Sequence, residues 1–99
     1  MAQNQQKQPK QPKQPKMVGR LTLEQYQSLP EWGKELHDYL QDYKKKTYKE
    51  WTSSEELYRY LMSEGRRLEE MAVELIQDGL AEDQMREIVR AEIYGDLTE

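Results

Sequence analysis

Few residues in this chain could do chemistry. They are one histidine, His37, between Glu35 and Asp38; a basic run Lys44-Lys45-Lys46 with Lys49 close behind; and lysines at every third position of the leading segment, Lys7, Lys10, Lys13 and Lys16. A histidine beside carboxylates raises metal ligation or acid–base catalysis. Neither reading closes. A di-metal bundle takes Glu-x-x-His pairs from separate helices, but the position three before His37 is Lys34 and there is no second histidine. His37 reads as solvated or held in a local hydrogen bond. Asp38 after Lys34, and Asp42 before Lys46, have the four-residue spacing of helix-surface ion pairs. Catalysis finds no phosphate-cradling glycine loop, no nucleophile with a base in place and no enclosed carboxylate pair. No enzyme, cofactor or small-molecule substrate is expected.

The lysines suggest polyanions instead. Gln-Pro-Lys repeats three times, and a period of three matches polyproline II, which would align the lysines on one stripe. Such spaced cations release counterions from a phosphate backbone without reading its sequence. Lys44, Lys45, Lys46 and Lys49 lie among Tyr43, Tyr48 and Trp51, a mixture of cations and stacking rings used by single-strand binders. Cations at a helix C-terminus explain most of the same cluster with no ligand. The candidate polyanion contacts are therefore Lys7, Lys10, Lys13, Lys16 and Arg20 in the tail, with Lys44, Lys45, Lys46 and Lys49 in the body. Pro-x-x-Pro docking is a poorer match, because glutamine and lysine flank the prolines.

These residues need elements to position them. Four Ser/Thr-x-x-Glu/Gln patterns, Thr22–Gln25, Ser28–Glu31, Thr47–Glu50 and Ser53–Glu56, mark helix starts in which hydroxyl and carboxamide or carboxylate exchange bonds with orphan amides. They predict a short helix near 22–28, a second over about 29–46, a turn at 48–51, a long helix over about 54–78 and a last one over about 82–94. Gly79 and Gly95 serve as stops. On the second helix Trp32, Leu36, Tyr39, Leu40 and Tyr43 share an arc of roughly 100°. The long helix carries apolar residues over roughly 200° and should be contacted on two sides. Gly65 lies inside that arc, and Leu68 returns to within roughly 20° of Leu57, so the helix is expected to run through the glycine and let a neighbour approach closely. Met71 to Ile88 has a helix-turn-helix outline. Glu82, Asp83, Glu87 and Glu92 on its second helix would repel DNA, and a plain helical hairpin is the better reading.

Composition sets the scale. The chain has 99 residues, no cysteine, no phenylalanine and a net charge of −4, and Leu, Ile and Val together number 17. That leaves room for one small core and no disulfide or cysteine–zinc framework. The charge divides into +5 over residues 1–20 and −9 over residues 21–99. The expected organisation is a disordered Gln/Pro/Lys-rich basic tail at 1–20 and an acidic helical domain at 21–99. No apolar run reaches membrane-spanning length, and a cytoplasmic protein is expected. The fold class is all-α: a small bundle of three to four helices around the long one. A thin core with nine Tyr and Trp rings points to self-association or docking on a larger protein. Trp32, Tyr39, Tyr43, Trp51, Tyr58, Leu61, Gly65 and Leu68 are the candidate interface. The leading function is a non-catalytic interaction or accessory protein; the alternative is an accessory protein holding nucleic acid through its lysines.

Overall fold

The structure is a computed structural model and describes residues 16–95. The tail at Lys7, Lys10 and Lys13 lies outside that range. The described chain is all-α apart from a small hairpin: β1 (Met17–Val18), β2 (Leu21–Thr22), α1 (Leu23–Gln27), α2 (Glu31–Tyr43), α3 (Lys45–Glu50), α4 (Ser54–Gln77) and α5 (Glu82–Tyr94). None of its helices is long and apolar enough to cross a membrane.

The hairpin is an addition to the expected elements. Val18 faces Leu21 across Gly19-Arg20, and only the glycine has positive φ, +61°, as a II′-type turn requires. Leu21 enters the core completely. The folded unit therefore begins before residue 21 and includes Arg20.

Of the four capping patterns, Thr22–Gln25 forms both reciprocal bonds, each 3.0 Å. Ser53 accepts from the Glu56 amide and starts α4. The other two do different work. Pro30 stands at the N-cap of α2, while Ser28 donates to the Gln25 carbonyl. Thr47 sits inside α3, not at a cap. The second helix also ends sooner than expected, at Lys44 with φ −126° and ψ 52°, and α3 follows in place of the expected turn. That break separates Asp42 from Lys46 and removes the helical geometry of their expected pair.

Helix α4 is continuous through Gly65 and is packed by both α2 and α5. Its buried positions Leu57, Leu61, Gly65, Leu68 and Ala72 step by four and three residues, which keeps them on one stripe. Gly33 of α2 lies across from Gly65: a Cβ built on Gly65 would fall 2.8 Å from the Gly33 Cα. The close approach has a glycine on each side.

Gly79, at φ +101°, ends α4 in a Schellman motif: Leu80 N–H donates to Leu75 (3.2 Å) and Gly79 N–H to Ile76 (3.0 Å). The chain then turns into α5, which runs beside α2 in parallel. Arg86 reaches Glu31 and Arg90 reaches Glu35, each at 3.1 Å, and Tyr94 packs on Tyr39 with ring centroids 5.0 Å apart. Successive pairs step by four on both helices, so charge and aromatic contacts fix one register. Exposed pairs of this kind add little stability; their effect is alignment.

Helix α5 begins at Ala81, whose side chain can make no cap bond. Its amide donates to Gln84 Oε1 at 3.1 Å, and Asp83 Oδ1 already accepts from the Gln84 amide. Ala81→Ser is accordingly expected to raise stability by about 0.5 kcal/mol, the low end for a new cap. An unchanged denaturant midpoint would refute this.

Candidate functional site

His37 is fully buried and joins three elements. Its Nδ1 lies 3.0 Å from Asp38 Oδ1 and its Nε2 lies 2.8 Å from the Tyr48 hydroxyl on α3. A carboxylate only accepts, so Nδ1 carries the proton and, in the neutral ring, Nε2 accepts from Tyr48. The Tyr48 oxygen then accepts from the Arg20 amide in the hairpin turn at 2.7 Å. Arg20 Nη1 donates to the carbonyls of Tyr48 (2.9 Å) and Lys49 (3.3 Å), closing the C-terminal end of α3. Tyr26 presents its ring to His37 at 5.3 Å and hydrogen-bonds Asp38.

His37 is thus held by hydrogen bonds as one of the two expectations had it, but it is not solvated. Asp38 serves Tyr26 and His37 in place of the expected pair with Lys34. An Asp–His–hydroxyl chain can activate a nucleophile. Here the hydroxyl turns toward backbone and His37 has no exposed surface for a substrate to meet. The arrangement latches the hairpin and α3 onto α2. No group of three or more His, Asp or Glu side chains suited to a metal occurs among the described residues.

Burial is the main cause that pushes the Tyr48 phenol above its ordinary 10.0, partly offset by Arg20. Tyr26 and Tyr94 move the same way, also chiefly through burial. A raised folded-state value means that the unfolded chain loses its phenolic protons first. The contribution of these phenols to stability is expected to be fully present below pH 10.0 and to be lost as pH rises through the folded-state values. Tyr48→Phe should flatten that alkaline decline, measured as melting temperature against pH; an unchanged slope would exclude Tyr48 as a source.

The lysine cluster lies at the far end of α2. Lys45, Lys46 and Lys49 are exposed on α3, Lys44 is half-buried at the junction, and Tyr43 beside them is 62% exposed. Lys16 is exposed at the start of the described chain. Tyr48 is buried, so it offers no stacking face. Arg20 is committed to the α3 carbonyls.

The candidate interface divides sharply. Trp32, Tyr39, Leu61, Gly65 and Leu68 are buried in the chain's own core; of these five, Trp32 also lines a surface groove. Tyr58 and Trp51 are half-buried; Tyr58 hydrogen-bonds Ser28 at 2.7 Å, and Trp51 packs on Tyr60 with its indole N–H buried and unpartnered. Of the eight, only Tyr43 is largely exposed.

A different surface is open. Where the C-terminal half of α4 meets the starts of α2 and α5, Trp32, Ala72, Val73, Ile76 and Met85 line a groove of about 300 Å³. Val73 is 53% exposed and Ile76 44%. Glu31, Glu69 and Glu82 stand on its rim, and Arg86 lies over Trp32 while bonded to Glu31 and Glu82. A shallower depression continues from Glu69 and Val73 past Glu70 and Glu74. Val73 and Ile76 were legible as apolar positions on the wide arc of the long helix; only packing reveals that they remain uncovered.

The chain matches no protein-family model, and comparison with curated proteins and with solved structures found no match.

Proposed function

We propose that this chain is a non-catalytic helical interaction or accessory protein that docks on a larger partner or self-associates. The observation that carries the reading is the uncovered apolar strip of Val73 and Ile76 over a groove floored by Trp32, Ala72 and Met85. Exposed apolar patches with polar rims are characteristic of binding surfaces. The His37 latch supports the same reading, because its polar atoms are spent on holding elements together. Light scattering after size exclusion, alone and with extract of the native cell, tests it. A species heavier than the 11.9 kDa chain is expected. A monomer that retains nothing at any concentration overturns it.

The exposed lysines of α3 beside Tyr43 favour a second reading, nonspecific nucleic-acid contact shared with the tail. Affinity for a single-stranded oligonucleotide should then fall steeply with salt and drop when residues 1–16 are removed. Binding that survives both changes rules out the tail as a tether.

A further inference from the structure

The groove between α2, α4 and α5 has chemistry specific enough to name what fills it. Its floor is apolar, and its rim is acidic: Glu31, Glu69 and Glu82 around the deeper part, Glu70 and Glu74 along the extension. The basic group there, Arg86, is taken by Glu31 at 3.1 Å and Glu82 at 3.4 Å. Its guanidinium lies 5.8 Å from the centre of the Trp32 ring, so it closes one wall and does not neutralise the remaining acids.

We infer that this groove receives a basic amphipathic segment of another protein, with apolar side chains seated against Val73 and Ile76 and lysines or arginines meeting Glu69, Glu70 and Glu74. The inference rests on the interaction reading above and gives it a partner class. Charge complementarity selects the occupant. An acidic segment would place like charges in contact, which discriminates strongly against such partners. A two-fold pairing of this face with itself would set acidic rim against acidic rim, because such an interface uses the same patch twice. The chain's own tail has the right charge but the wrong side chains: residues 3–16 are all Gln, Asn, Lys or Pro and carry no aliphatic or aromatic anchor. A helix with apolar residues at three- and four-residue spacing supplies both requirements.

The test uses the full chain and a fluorescein-labelled amphipathic helix of leucine and lysine, with a glycine–lysine peptide of equal charge as comparison. Fluorescence anisotropy should show binding of the first and much weaker binding of the second. Paired Val73→Ser and Ile76→Ser changes, which remove the apolar anchors and leave the charge unaltered, should weaken it by about tenfold or more. Both sites are exposed, and unchanged circular dichroism would show that the fold persists. Paired Glu69→Lys and Glu74→Lys changes should weaken binding and reduce its salt dependence. Glu50→Lys on α3, at the other end of α2, should leave it unaltered. Equal binding of both peptides, or equal weakening by Glu50→Lys, would reduce the effect to net charge and overturn the inference. Failure of the leucine–lysine helix to bind would overturn it too. If the chain instead forms a dimer that Val73→Ser disperses, the occupant is a second copy; the partner class then falls while the interaction function stands.

Discussion

Gly65→Ala is expected to destabilise the protein by about 2 kcal/mol or more, despite alanine's advantage of about 1 kcal/mol inside a helix. The added Cβ would lie 2.8 Å from the Gly33 Cα and 2.9 Å from its amide nitrogen. These are backbone atoms, so no side chain can rotate away; α2 must move off α4. That movement loosens Leu36 and Leu40 on one helix and Leu61 and Leu68 on the other, all buried in the common core. For a domain of this size the melting temperature should fall by about 8 °C or more. Gly33→Ala should cost less, because its Cβ would meet the Leu61 carbonyl at 3.1 Å and Pro30 at 3.3 Å, where shifts of a few tenths of an ångström suffice. Thermal unfolding of the two variants checks the order. A higher melting temperature for Gly65→Ala would mean that the helices do not cross at the glycines.

The second large effect concerns the latch. Tyr48→Phe keeps the ring against His37 but removes the hydroxyl that donates to Nε2 and accepts from the Arg20 amide. Two groups lose a partner at once, and an unmet buried group costs about 1 to 3 kcal/mol. Because Arg20 is half-buried, water recovers part of its share, and a total of about 2 to 3 kcal/mol is expected. His37→Leu breaks the same chain from the other side. In the double variant the leucine side chain has no need of the missing hydroxyl, so the cost should fall short of the sum of the singles by about 1 kcal/mol. Denaturant unfolding of all four proteins measures this, and additive costs would show that His37 and Tyr48 act independently. Amide exchange at Val18 and Leu21 should quicken in Tyr48→Phe, since the hairpin is tied to α3 through Arg20.

How far the sequence reaches differs along the chain. Helical phase located α4 and α5 closely, and the shared phase of Leu57 and Leu68 correctly carried α4 through a glycine. Gly33 could not be found in this way, because periodicity describes one helix at a time and not which residue stands opposite. The break at Lys44 is equally hidden. Its lysines are good helix formers, and the chain turns there as Tyr48 packs back on His37. The hairpin had a local signal, Met17-Val18 and Leu21-Thr22 around a glycine-led pair, masked by its brevity and by the low-complexity tail before it. His37 also carried a signal: it follows Gly33 by four and precedes Leu40 by three, on the buried side of α2. At the surface, an arc of apolar residues cannot distinguish a partner's contact from the chain's own core. Trp32, Tyr39, Leu61 and Leu68 fill the core, whereas Val73 and Ile76 are left outside it.

The latch also gives the molecule an internal reporter. His37 is the chain's single histidine, so its two carbon-bound ring protons form one pair of imidazole signals in a proton NMR spectrum. The rings of Tyr26 and Tyr48 stand edge-on to it at 5.3 and 5.4 Å, close enough for their ring currents to displace those resonances. One pair of lines therefore registers whether the hairpin, α2 and α3 are seated together.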